Sequence, residues 1–249
     1  MFILKEKPIP VAEGHHLLLL EAGSRKSAPG QFVNVRVADG YDPLLRRPFS
    51  IFSHEGTEIG IVVKTVGRGT GLLSAREPGS IDVIGPLGRG FSLGKGRILI
   101  AGGGVGNAPL HYLALELAKS GCDITYLYGA RSAGQVFMIE RFRQAATRLI
   151  VVTNDGSAGE RGMVTDLTSR LISEERFDRI YACGPAPMMR AVASLSRGIP
   201  LEVSVENYFG CGTGLCSGCS IDTDRGPRRA CLDGPVFDGA SIQWETMPV

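Results

Sequence analysis

With 249 residues, the chain is long enough for one large domain or two to three small ones. Its composition is ordinary, 43% hydrophobic and 21% charged with a net charge of +2, which calls for neither nucleic acid nor a membrane as partner. The longest apolar run near the start, residues 17–20, is far too short to span a bilayer. No basic, apolar and small-residue succession of a signal peptide opens the chain, and the cysteine usage suits a reducing, cytoplasmic setting.

Residues 1–94 read as short strands broken by turns. In the segment 32–37, Val33, Val35 and Val37 share one face, the period-2 pattern of a half-buried strand. Segments 59–66 and 80–84 are further strand candidates, punctuated by Pro29-Gly30, Pro78-Gly79 and Gly85-Pro86. Such a succession predicts a small antiparallel β-barrel. Two spots in it look chemical. Arg46-Arg47-Pro48-Phe49-Ser50-Ile51 brings together a fork donor for a pyrophosphate, a ring to cover a flat ligand and a hydroxyl. A basic turn leading into a strand is the plainer reading. Val66-Gly67-Arg68-Gly69-Thr70-Gly71 predicts a glycine turn opening a short helix, whose free N–H groups suit a phosphate. The plainer reading there is a tight turn with Thr70 as N-cap.

From residue 95 to 200 the pattern changes. Segment 97–101 is continuously apolar, as for a strand buried on both faces. It runs into Gly102-Gly103-Gly104-Val105-Gly106-Asn107-Ala108-Pro109 and a helix with Leu110, Leu113, Ala114 and Leu117 on one face. Strands at 123–128, 149–153 and 179–182 alternate with helices at about 135–146 and 163–173. Alternation predicts a parallel sheet with its ligand at the carboxyl ends of the strands. The glycine loop departs from a standard dinucleotide fingerprint, because Asn107 stands at the third glycine position. Arg131, after the second strand, is either a 2′-phosphate ligand favouring NADP or an exposed charge.

Residues 201–249 begin with a strand at 201–205 and carry four of the six cysteines, Cys211, Cys216, Cys219 and Cys231, spaced C-x4-C-x2-C-x11-C. This is the plant-type arrangement for a 2Fe-2S cluster, and the interleaved Gly210, Gly212, Gly214 and Gly218 allow N–H groups to approach the sulfurs. Zinc usually takes paired C-x2-C knuckles, of which one is present; disulfides belong to secreted chains; buried structural thiols do not cluster in this way. His15, His16, His54 and His111 are scattered without a companion acid–nucleophile pattern.

Together, Arg47-Pro48-Phe49-Ser50 and Gly67-x-Gly69-Thr70 resemble the R-x-Y/F-S and G-x-G-T elements that hold FAD in the ferredoxin reductase superfamily. The glycine loop 102–109, Tyr128-Gly-Ala-Arg131 and Cys183-Gly184-Pro185 resemble the nicotinamide-nucleotide elements of the same superfamily. Order narrows the resemblance: barrel (1–94), nucleotide domain (95–200), then a cysteine domain (201–249) trailing into C-x-D-G-P-V-F. That whole-chain order resembles the family of electron-transfer subunits of class 1B dihydroorotate dehydrogenases. The resemblance implies FAD held by Arg47, Pro48, Phe49, Ser50, Val62, Val63, Lys64, Gly69 and Thr70. It implies NAD(H) held by Gly102, Gly103, Gly104, Gly106, Cys183, Gly184 and Pro185, with Cys183 beside the nicotinamide. It further implies an oxidoreductase without an acid–base residue of its own. Its partner would be an FMN-containing subunit that oxidises dihydroorotate to orotate in pyrimidine biosynthesis, two of each chain forming a heterotetramer.

Departures are local. Phe49 replaces the more usual tyrosine, the loop reads Phe-Gly-Cys-Gly-Thr-Gly-Leu-Cys, and Arg225, Arg228 and Arg229 fill the short segment before Cys231. A diaphorase subunit of a hydrogenase, sulfite reductase or glutamate synthase is the rival reading. A redox-sensing scaffold is a second, which two nucleotide sites argue against.

Overall fold

The computed structural model describes residues 1–247. Its first part is an antiparallel sheet of β1 (Phe2–Leu4), β2 (Ile9–Ala12), β3 (His15–Glu21), β4 (Phe32–Val35), β5 (Arg47–Glu55), β6 (Glu58–Lys64), β7 (Gly79–Ile81) and β8 (Val83–Leu87), with helix α1 (Arg68–Ser74) between β6 and β7. The strand order is β7-β1-β3-β6-β5-β4-β8, with β2 paired to β3. Segment 80–84 is therefore not one strand. The chain breaks at Asp82, so that β7 pairs with β1 at one end of the sheet and β8 with β4 at the other. Consecutive strands at opposite edges curl the sheet into a near-barrel. Arg46 holds the corner, donating to Asp82 Oδ2 at 2.6 Å. Leu18, Leu20, Val33, Val35, Ile59 and Ile61 fill the interior, each contributing about 1.5–3 kcal/mol by leaving water.

The second part is doubly wound. Strands β9 (Arg97–Gly103), β10 (Asp123–Ala130), β11 (Arg148–Thr153), β12 (Glu160–Arg161), β13 (Arg179–Cys183) and β14 (Leu201–Ser204) alternate with α2 (Asn107–Lys119), α3 (Ile139–Ala145), α4 (Val164–Glu174) and α5 (Ala186–Leu195). The sheet runs β12-β11-β10-β9-β13-β14 in parallel. Ile98, Ile100 and Tyr126 face α2 and α3, while Leu99, Ala101 and Leu127 face α4 and α5. Hence the unbroken apolar run of β9. The helix expected at 135–146 is shorter, because Met138 takes φ +46 and Phe137 N donates to the buried Tyr128 hydroxyl at 3.1 Å. Both features stop helical hydrogen bonding before Ile139.

Beyond β14 the chain leaves the sheet for the cysteine segment, which contains the hairpin β15 (Ser220–Ile221) and β16 (Arg228–Arg229). It then returns as β17 (Val236–Asp238), antiparallel on β14. The cysteine segment is thus clamped on both sides by the nucleotide sheet. It also covers the barrel: Phe32 of β4 packs with Cys219, Ala230 and Cys231.

Candidate functional site

Two cavities lie between the parts. The first, of about 310 Å³, is lined by Pro48, Phe49 and Ser50 of β5, Val62 and Lys64 of β6, and Thr70 of α1, closed by Ser204 to Asn207, Phe209 and Val105. The second, of about 380 Å³, is lined by Gly103, Gly104, Gly106, Arg131, Gly184 and Pro185, among others. Lys64, Val105 and Glu206 belong to both walls. A flat ring in the first cavity and one in the second would meet across these three residues.

The barrel side is pre-shaped by local bonds. Thr70 is not the helix N-cap; it is the third residue of α1, and its hydroxyl accepts from Val66 N at 2.9 Å and Gly67 N at 3.1 Å. Arg47 and Gly69 pack on each other, so that a Cβ on Gly69 would lie 3.2 Å from Arg47 Nε, but neither lines either cavity. The Arg47 guanidinium donates to Leu45 O at 2.6 Å, and the cavity wall is made by their chain neighbours Pro48 and Thr70. Val63 points into the barrel core and lines neither cavity.

On the nucleotide side, the glycine loop packs backbone against backbone. A Cβ on Gly106 would meet Cys183 O at 2.6 Å, and one on Gly103 would meet Met188 Sδ at 2.6 Å. Gly102 lines no cavity; the buried Asn107 side chain occupies the space a Cβ there would need. Asn107 Nδ2 donates to Gly104 O at 2.8 Å and Gly129 O at 3.2 Å. A polar side chain therefore stands where a third glycine would allow close packing, and ties the loop to β10. Cys183 is 1% exposed and its thiol lines neither cavity; burial first, then the Glu206 carboxyl, pushes it up well above the usual thiol range. Glu206 keeps an exposed edge at the mouth of the two cavities while protein packs densely around its carboxyl; that crowding pushes the carboxyl up, with Lys64 pulling the other way.

The four cysteines lie behind the first cavity. Cys219 and Cys231 are buried, Cys211 half-buried and Cys216 exposed. Backbone N–H groups point at the sulfurs: Gly214 N at 3.1 Å from Cys231 Sγ, Thr213 N and Cys216 N at 3.4 Å from Cys211 Sγ, Gly218 N at 3.4 Å from Cys216 Sγ, Cys231 N at 3.4 Å from Cys219 Sγ. Donors from Cys216 and Thr213 bring the Cys211 thiol down to about 5, whereas burial and Cys219 push Cys231 up to about 12. Among the described residues no three His, Cys, Asp or Glu converge on one metal ion. A two-iron cluster takes two thiolates per iron and does not need that convergence. N–H donors on all four thiols fit an anionic thiolate cluster.

Sequence reasoning missed Asn34 and the segment Ser204–Phe209. Asn34 is the polar residue of an apolar strand, which reads as a solvent-facing position. Glu206, Asn207 and Phe209 lie directly before Cys211, and their only signal was that place between a strand and the cysteine loop.

The arrangement is that of ferredoxin reductases, a barrel and a parallel-sheet domain sharing one cleft. A solved flavohem-like FAD/NAD-binding domain of a nitric oxide dioxygenase from Vibrio cholerae superposes with TM-score 0.65 over 81% of this chain and 97% of that one, at 21% identity, which shows the fold. A structure described as an NADH-dependent reduced ferredoxin-NADP oxidoreductase superposes with TM-score 0.88 at 33% identity, covering 98% of this chain and 90% of the other. Residues 99–194 match the oxidoreductase NAD-binding domain, and residues 206–243 match the iron-sulfur cluster binding domain of dihydroorotate dehydrogenase B. A dihydroorotate dehydrogenase B (NAD(+)) electron transfer subunit from Desulforamulus reducens is 37% identical over 233 residues, 89% of each chain; one from Geobacillus kaustophilus is 41% identical over 224 residues, 86% of each. The chain belongs to the family of dihydroorotate dehydrogenase B electron transfer subunits. No helix among the described residues is long and apolar enough to cross a membrane.

Proposed function

We propose that the chain is the NAD-linked electron-transfer half of a two-component oxidoreductase. Its other subunit would carry FMN and oxidise dihydroorotate to orotate, two of each chain assembling together. The observation that carries this is the shared wall of Lys64, Val105 and Glu206 between two cavities, with the cysteine loop behind the first. A flavin held there would supply the change from two-electron hydride chemistry with a nicotinamide to single-electron transfer with a 2Fe-2S cluster.

The chain's own residues orient and shield. Pro48, Phe49, Ser50, Val62, Lys64 and Thr70, which line the first cavity, would hold FAD there, and Arg47 beside Gly69 would have to turn its guanidinium from Leu45 O to reach a phosphate. Gly103, Gly104, Gly106, Gly184 and Pro185 let the nicotinamide nucleotide lie close to the backbone. Cys211, Cys216, Cys219 and Cys231 ligate the cluster. Cys183 acts from within the sheet, as part of the packed support under Gly106.

The test is an anaerobic NADH titration of the purified chain, with NADPH in parallel, following flavin absorbance and the paramagnetic signal of the reduced cluster. Flavin bleaching followed by growth of that signal supports the reading; iron without response to either nucleotide overturns it. The resemblance at TM-score 0.88 to a ferredoxin-NADP oxidoreductase favours a second reading, in which the same wire serves another flavoprotein. Whether the protein retained with this chain from its own cells turns over dihydroorotate separates the two.

A further inference from the structure

One charged side chain ties the turn that carries Cys231 to the loop that carries Cys211 and Cys216. Arg229 Nη1 donates to Gly214 O at 2.9 Å, and Gly214 N donates to Cys231 Sγ at 3.1 Å. Gly214 takes φ +87, and a Cβ on it would lie 2.8 Å from Leu232 Cδ2, so the loop follows this course only with glycine. The guanidinium fixes the carbonyl side of the same residue whose N–H meets the sulfur.

Asp233 anchors Arg229 in turn. Arg229 N donates to Asp233 Oδ2 at 2.9 Å, and Asp233 N returns a bond to Arg229 O at 2.8 Å. Arg229 Nε lies 3.6 Å from the same carboxylate oxygen. Cys231 is the middle residue of this turn. With side chains 39% and 22% exposed, the pair adds little to stability as an ion pair. Its placement around a sulfur is what distinguishes it.

We propose that Arg229 and Asp233 are positioning residues that set the reduction potential of the cluster, in opposite senses. The inference rests on the reading that the four cysteines hold that cluster. Reduction adds one electron to a site already carrying four thiolates. A nearby cation and N–H bonds to sulfur both favour the more negative state, and a nearby carboxylate disfavours it. Arg229 supplies the first two, the charge directly and the N–H through Gly214. Asp233 supplies the third while holding Arg229 in place.

The test is an anaerobic redox titration of the full chain with its cofactors. The midpoint potential is read from the paramagnetic signal of the reduced cluster in wild type, Arg229→Met, Arg229→Lys and Asp233→Asn. Arg229→Met is expected to shift the potential downward and Asp233→Asn upward, with Arg229→Lys near wild type. Opposite signs are the signature, since general loosening of the loop would move both variants the same way. Shifts of one sign, or no shift in either at full iron occupancy, overturn the proposal. If Arg229→Met fails to retain iron, the upward shift in Asp233→Asn decides, and its absence counts against the proposal. A reduced wild-type protein with no such signal instead sinks the cluster reading itself, whatever Arg229 does.

Discussion

Asn34 Nδ2 donates to Cys211 O at 3.1 Å, joining residues 177 positions apart. Asn34 stands on β4 directly opposite Pro48 of β5, so one side chain links the wall of the first cavity to the first cysteine. Its Oδ1 is buried without a partner among the described residues, which makes the Nδ2 bond the return on burying the amide. Asn34→Ala removes that bond and leaves Cys211 O unpaired. A loss of about 1–2 kcal/mol is expected, with iron content falling while bound FAD stays near wild type. Thermal unfolding and the iron-to-flavin ratio check this; loss of both cofactors together would mean that Asn34 supports the barrel rather than the junction.

Cys216 is the exposed member of the four, and its N–H donates to Cys211 Sγ at 3.4 Å. Replacing it with serine keeps that N–H and alters one of the four proposed ligands. Cys216→Ser is expected to abolish electron delivery to an external acceptor downstream of the cluster, yet leave FAD bound and NADH-dependent flavin bleaching intact. Flavin absorbance under anaerobic NADH, beside reduction of the acceptor, separates the two functions. Simultaneous loss of flavin would show that the sites are not modular.

Much of this arrangement was legible in the chain because it is local. The C-x4-C-x2-C run, the glycine loop and the Pro48–Ser50 segment each keep their candidate groups within a dozen residues, and strand–helix alternation announced the parallel sheet. What was not legible comes from contacts distant in sequence. Val33 and Val35 showed the inner face of β4, but nothing local said that Phe32 and Asn34 would be covered by the cysteine segment. Segment 80–84 read as one strand because the break at Asp82 is imposed by barrel closure and by Arg46, not by a breaker residue. Glu206 carried no motif; its position at the junction of the cavities follows from where β14 ends.

His111 on α2 stacks on Phe52 of β5, ring centroids 4.0 Å apart, and its Nδ1 lies 3.0 Å from Phe52 O. It is one of the packed contacts between the barrel and the nucleotide domain, beside Tyr112 in the barrel core and its hydroxyl bond to Ser27 O. Burial first, with Arg141 adding, pushes the imidazole down from 6.5 to about 4. Between these two values the unfolded chain binds a proton that the folded chain refuses. The contribution is thus fully present above about pH 6.5 and lost as pH falls toward 4, amounting to roughly 3 kcal/mol over that span. Urea unfolding at pH 7.5 and pH 5 is expected to show a drop in wild type that is smaller in His111→Gln. Equal drops in the two proteins would place the acid sensitivity elsewhere.

Gly106 gives the sharpest test of the nucleotide side. It occupies ordinary helical backbone, φ −60 and ψ −12, so alanine there meets no conformational penalty. What a Cβ would meet is Cys183 O at 2.6 Å and Gly184 N at 2.7 Å. Both are backbone atoms at the end of β13 and cannot swing aside as a side chain would. The loop must therefore lift from the strand, which widens the floor of the second cavity and leaves the first wall, Pro48 to Ser50, untouched. Gly106→Ala is expected to raise the apparent KM for NADH at least about tenfold, equivalent to about 1.4 kcal/mol, with FAD content and the dithionite-reduced cluster signal unchanged. Gly104→Ala differs in kind. A Cβ there meets no protein atom within 4 Å, but φ is +57 and Gly104 lines the second cavity, so local strain of about 1–2 kcal/mol adds to the loss of room for the nucleotide, and both stability and NADH affinity are expected to fall. Wild-type NADH kinetics in Gly106→Ala would mean that the contact with Cys183 yields without moving the loop, and that the nucleotide is held by other parts of the cavity.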